Sequence, residues 1–221
     1  MLISYERRFI FIHVAKVAGL SVREALAPYC REPPHFRIAR PSATRPDGSP
    51  NPLLEAWRNR LLHARARDVQ RELPTPFRDF FTFGFVRNPW DWHVSMYHFI
   101  LAERDHIHHR RVAALPDFDA FIDWVVATPK PFARGATKLQ SDMLTDDRGR
   151  IMVDIVGRFE RLSDDFAQVC NHIGIAARLP RVNATRHRPY ASYYSERSRW
   201  QVAALCRDDI ERFGYRFDGA G

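Results

Sequence analysis

A lysine, a glycine and a serine fall at positions 16, 19 and 21 in the stretch FIFIHVAKVAGLSVREAL, just after an apolar run. A lysine offers a compact ammonium, a glycine lets the backbone approach a ligand closely, and a serine adds a hydroxyl donor. Together they suit phosphate-like oxygens. A nucleoside-triphosphate loop, G-x-x-x-x-G-K-[ST], places its lysine after the glycines, and here Lys16 comes first. A second group, Arg87, Asn88 and Ser95, follows another apolar run. Arginine pairs with phosphate through a two-pronged donor set, and Ser95 lies two turns on, on a face compatible with one shared anion. Each group alone is a common strand–loop–helix junction. Two of them at two strand ends point to one ligand with two separated anionic groups.

The elements that must hold these residues follow from periodicity and capping. Arg7 to Val14 is rich in Phe, Ile and Val and alternates little, as a strand covered on both faces would be. Ser21 to Tyr29 then reads as a helix, so successive backbone N–H groups and a helix N-terminus form a nest for an anion. Pro33 to Pro52 is thick with Pro, Ser, Gly and Asp and reads as a surface loop, followed by helices at Leu53 to Leu62 and His63 to Glu72. Phe80 to Val86 is a second strand. Asn88 is a good N-cap, Pro89 fits the first helical position, and a helix runs to about Glu103. Further helices are expected at Asp117 to Ala127, after a capping Ser163 as far as Gly174, and in one piece from Ser195 to Phe213, with a third strand at Ile151 to Val156. This alternation predicts a single α/β domain over 1–221, with a mainly parallel central sheet flanked by helices and its ligands at the carboxyl ends of the strands.

Composition narrows the function classes. The net charge is +8, and every basic side chain except Lys16, Lys130 and Lys138 is arginine. Against that background a lysine inside a glycine-containing loop stands out. The arginines are scattered among acidic residues, and no nucleic-acid motif is present, so nucleic acid is not the expected partner. No apolar run reaches the roughly 18 to 20 residues of a membrane span. The N-terminus does not read as a signal peptide, and Cys30, Cys170 and Cys206 are odd in number and widely spaced. Both features favour a reducing, cytoplasmic setting with free thiols and no zinc site. His106, His108 and His109 cluster in RDHIHHRR, but without a cysteine or spaced carboxylates, so no metal is expected.

HVAKVAGLSV resembles the 5′-phosphosulfate loop of sulfotransferases that use 3′-phosphoadenosine 5′-phosphosulfate (PAPS). FVRNPWDWHVSMY is similar to their 3′-phosphate motif, and VGRFERLSDDFAQVCNHIGI and the ending YYSERSRWQVAALCRDDIERFGYRF are similar to the carbohydrate, family-2 branch. The resemblance spans roughly Phe9 to Phe217 and implies a P-loop-like sulfotransferase fold. It implies that Lys16 meets the phosphosulfate, and that Ser21 with the backbone of Ala18, Gly19, Leu20 and Val22 holds the 5′-phosphate. Arg87 and Ser95 would grip the 3′-phosphate, and a late basic loop would bring Arg186 and Arg188 to the same group. His63 occupies the segment where heparan-type relatives carry a catalytic histidine, which makes it the expected base; His13 is the next choice. Val17 and Leu20 stand where the common loop has threonines, so backbone donors and Ser21 must do more of the holding. Gln140 and Ser141 are further possible contacts, and Glu160 is expected to organise loops.

The activity so implied is transfer of a sulfuryl group from PAPS to a hydroxyl, on a carbohydrate acceptor, by in-line displacement without a metal. Three other readings stand beside it: a degenerate sulfotransferase-like binder, a P-loop kinase and a basic nucleic-acid-binding module. Oligomeric state is left open by the sequence.

Overall fold

The four residues of strand β2 (Phe9–Ile12), Phe9, Ile10, Phe11 and Ile12, are completely buried, as the unbroken apolar run requires of a strand covered on both faces. Residues 1–30, 63–132, 136–180 and 188–219 are described by the computed structural model; the proline-rich segment at about 33–52, the helix expected at Leu53 to Leu62, and Arg186 lie outside them. Strand β3 (Phe81–Val86) pairs parallel with β2, setting Ile12 opposite Gly84. Strand β4 (Ile155–Arg158) pairs parallel with β3, setting Val86 opposite Arg158. A short edge strand, β1 (Leu2–Ser4), runs antiparallel to β2 and completes the order β1-β2-β3-β4. The sheet is therefore mixed but mainly parallel, as expected from the alternation of elements. Burying each large side chain of β2 is worth roughly 1.5–3 kcal/mol, so core packing more than local propensity fixes the strand that leads into the lysine loop.

Helix α1 (Gly19–Leu26) follows β2. The segment before β3 carries α2 (Ala66–Glu72) and α3 (Pro74–Asp79). After β3 comes α4 (Pro89–Ala102), which starts as its sequence dictates: the Asn88 side chain accepts the Trp90 N–H at 3.1 Å and Pro89 takes the first helical position. Helices α5 (His109–Ala113) and α6 (Phe118–Ala127) follow, the second capped by Asp117, which accepts the Ala120 N–H at 2.9 Å. Beyond β4 lie α7 (Leu162–His172), α8 (Glu196–Leu205) and α9 (Arg207–Phe213).

Three expectations change. The third strand is Ile155–Arg158, not Ile151 to Val156. Asp146 accepts the N–H groups of Arg148 and Arg150 and closes a turn, so Ile151 bridges back to Thr145 and the sheet begins four residues later. Ser163 does not cap α7, because the 3-10 turn Phe159–Arg161 runs straight into the helix and Arg161 takes the cap position. The last helix is two helices broken at Cys206, whose φ of −107° and ψ of 24° leave the helical region. Its outer limits are as predicted: Ser195 forms a capping box with Ser198, and Gly214, at φ 65°, ends α9.

Candidate functional site

The lysine loop turns sharply between β2 and α1. Lys16 and Ala18 have φ values of 62° and 57°, the left-handed region that costs a non-glycine residue roughly 1–2 kcal/mol each. That strain is held by contacts from α4 and from the junction before it: the Trp92 indole N–H donates to the Ala15 carbonyl at 2.8 Å, and Arg87 Nη1 donates to the Lys16 carbonyl at 3.3 Å. Ala18 is the N-cap of α1 and accepts the Val22 N–H at 3.1 Å, and as an alanine it offers the first turn no side-chain cap. Ser21 and Val22 are buried in that turn, whereas Leu20 is half exposed. Val17 is fully buried: where a hydroxyl was expected the chain has placed a core side chain.

Gly19 is required by a neighbour and not by its own torsion. A Cβ there would lie 1.9 Å from Nε2 of His13, so the imidazole fills the space a side chain would need.

The Lys16 ammonium sits 4.3 Å from the centre of the Phe99 ring. Burial, and then the nearby charge of Arg87, lowers its pKa to about 8, with Glu103 opposing. Arg87 is clasped on all sides. Its Nε donates to Asp91 Oδ2 at 2.7 Å, its guanidinium lies 4.1 Å over the Phe159 ring, and its own N–H and C=O are both bonded by the Gln140 amide, at 2.9 and 2.7 Å. Gln140 is in turn fixed by the buried Asp209 carboxylate, which accepts the Gln140 and Ser141 N–H groups. Gln140 and Ser141 are thus braces behind Arg87. Ser95 is buried on α4, one turn beyond Asp91. Glu160 organises the loops as expected, accepting the Asn88 N–H at 2.6 Å and the Tyr215 hydroxyl at 3.2 Å.

His63 stands beside the loop. Its Nδ1 lies 3.2 Å from the His13 carbonyl and its ring 4.7 Å from the His13 ring. A carbonyl can only accept, so Nδ1 carries the hydrogen and Nε2 keeps its lone pair. Burial lowers the His63 pKa to about 4 and that of the almost fully buried His13 well below the ordinary histidine value. His13 Nδ1 has no hydrogen-bond partner among the described residues. His106 and His108 lie side by side, with ring centroids 5.7 Å apart and the His108 N–H donating to His106 Nδ1 at 3.2 Å, while His109 turns to the Ile100 carbonyl. Arg188 is exposed and stacks 4.9 Å over the Tyr193 ring.

The sequence motifs therefore meet. Lys16 and Arg87 are hydrogen-bonded neighbours, and His63 touches the same loop through His13. The braces Asp91, Trp92 and Phe159 lie inside segments the sequence singles out, but their bracing of Arg87 and the lysine loop is seen only in the fold. A cavity of about 460 Å³ beside Asn88 is not an alternative anion site, because Asp91, Glu160 and Asp218 line it and give it the wrong sign.

A profile described as the sulfotransferase family matches residues 1–216, nearly the whole chain. The protein belongs to the sulfotransferase family. Its fold is similar to that of mouse sulfotransferase SULT7A1, solved as a complex with PAP, with a TM-score of 0.50 at 12% identity, over 95% of this chain and 86% of that one. No curated protein matches it by sequence.

Proposed function

We propose that the chain is a single-domain, PAPS-dependent sulfotransferase acting on a carbohydrate hydroxyl. The observation that carries this reading is the contact between the two anion-binding strand ends, Arg87 Nη1 on the Lys16 carbonyl. One ligand bearing a 5′-phosphosulfate and a 3′-phosphate would span them. PAP (3′-phosphoadenosine 5′-phosphate), the ligand crystallised with the mouse protein of the same fold, carries the two phosphates of that pattern without the sulfuryl group.

In this reading the N–H groups of Ala18, Gly19, Leu20 and Ser21 cradle the 5′-phosphate, helped by the positive end of the helix dipole, whereas the Val22 N–H is already held by the Ala18 carbonyl and drops out of the set expected from the sequence. Lys16 stands where charge develops on the bridging oxygen as the sulfur–oxygen bond lengthens. Arg87 and Ser95 take the 3′-phosphate, and the family resemblance adds Arg186 and Arg188 to the same group. His63 Nε2 accepts the proton of the acceptor hydroxyl as its oxygen bonds to sulfur, and PAP leaves. Lys16 and Arg87 supply the positive charge, so the reading calls for no metal. Free Cys30, Cys170 and Cys206 support a cytoplasmic setting, and no helix among the described residues is long and apolar enough to cross a membrane.

Thermal unfolding with PAP, AMP and ATP tests the donor. PAP should raise the melting temperature at concentrations where AMP and ATP do not, because only a ligand that binds the native state stabilises it. Equal stabilisation by AMP would remove the role given to the 3′-phosphate.

A further inference from the structure

We propose that Asp91 is a positioning residue for donor recognition: it holds Arg87 in the orientation that selects a 3′-phosphorylated nucleotide. This rests on the donor reading above. The Arg87 and Asp91 side chains are 8% and 16% exposed, and Oδ2 accepts from Nε at 2.7 Å, at the short end for a charge-assisted hydrogen bond. The contact falls on Nε, the inner nitrogen of the guanidinium. It fixes the side-chain torsions while leaving the terminal nitrogens to other partners, of which Lys16 takes one through Nη1. The Phe159 ring closes one face at 4.1 Å. Among the described residues Nη2 has no hydrogen-bond acceptor, which leaves it to meet an added phosphate.

Arginine is among the side chains that lose most freedom on being fixed. Holding it in place beforehand removes that loss from the binding step. Asp91 is itself in the first turn of α4, on backbone anchored by the Asn88 cap. The arrangement is counterintuitive in its sign, because a carboxylate beside an anion site repels the anion. Charge alone therefore predicts that neutralising Asp91 tightens nucleotide binding, whereas positioning predicts that it weakens binding, and only for a nucleotide with a 3′-phosphate.

Isothermal titration of PAP and of 5′-AMP against the wild-type chain, Asp91→Asn and Asp91→Glu decides between them. The wild type should prefer PAP. Asp91→Asn should lose about tenfold in PAP affinity, the scale of one charge-assisted hydrogen bond, with AMP affinity unchanged. Asp91→Glu keeps the charge with one more methylene and should show a smaller loss, again confined to PAP; it carries the test if the Asn variant does not fold. Unchanged or tighter PAP binding in Asp91→Asn overturns the proposal, as does an equal loss for both nucleotides, which would mark a merely structural role. A wild type with no preference for PAP overturns the donor reading itself, and is recognised because it needs no substitution.

Discussion

Arg87 Nη1 donates to the carbonyl oxygen of Lys16, linking residues 71 positions apart in the chain. The consequence is that a residue at the end of β3 holds the backbone of the loop after β2 in a left-handed turn it would not adopt by preference. On the proposed reading, the lysine backbone is therefore preset before a ligand arrives.

The environment of Lys16 predicts an alkaline limit to activity. Its pKa is lowered to about 8, so the charged form is lost as pH rises through about 8, well below the ordinary lysine value near 10.4. kcat/KM for sulfuryl transfer should fall over that range. Lys16→Arg, whose charge does not titrate, should move the limit upward even if it lowers the rate, and Lys16→Ala should lose on the order of 100-fold or more. An unchanged alkaline limb in Lys16→Arg would assign it to another group.

As the proposed base, His63 is expected to set the opposite limb. With its pKa lowered to about 4, it is unprotonated and able to accept a proton at neutral pH, and that ability is lost as pH falls through about 4. His63→Ala should reduce kcat by about 100-fold or more and abolish the acid limb. Retention of the limb, measured where melting shows the fold intact, would remove His63 as the base.

Gly19 and His13 should behave as a pair. Gly19→Ala places a methyl 1.9 Å from the His13 ring, which must move, at a cost of about 1–3 kcal/mol typical of overpacking. His13→Ala alone leaves a cavity, yet in combination with Gly19→Ala it should recover part of the loss. Denaturant unfolding of the four members of the cycle checks this, and additivity of the two single effects would refute the steric coupling.

Much of this site was legible in the sequence because it rests on local chemistry. Asn88 and Pro89 announce the start of α4, and apolar runs announce β2 and β3. What escaped was set by contacts between distant segments. Nothing in the spacing of Gln140 shows that its amide clasps both backbone groups of Arg87, and nothing around Gly19 shows that an imidazole fills its missing side chain. The third strand was misplaced because an Asp146 turn competes for the apolar residues that precede it. The break at Cys206 was hidden since neither glycine nor proline marks it.

Buried histidine also predicts how stability responds to acid. His93 is fully buried and its pKa is lowered to about 4, mainly by burial, while unfolding would return it to about 6.5. The unfolded chain then binds the proton more readily, so stability present above about pH 6.5 is lost as pH falls toward 4, by on the order of 2 kcal/mol from this residue. His93→Asn keeps an N–H near the Pro89 carbonyl but does not titrate. Its unfolding free energy should fall less steeply between pH 6.5 and 4.5 than that of the wild type, and an identical slope would exclude His93 as a source.

The pairing of Ile12 with Gly84 has a further meaning for how such a protein can diversify. The distance between the two halves of the anion clamp is set sideways, by the roughly 4.8 Å step between adjacent strands, and not by the chain that joins them. Insertions or deletions between α1 and β3 leave that step untouched, and loop closure charges little for added length. On the proposed reading, the intervening chain can change length for a new acceptor while the donor grip stays in register, provided His63 keeps its place against His13.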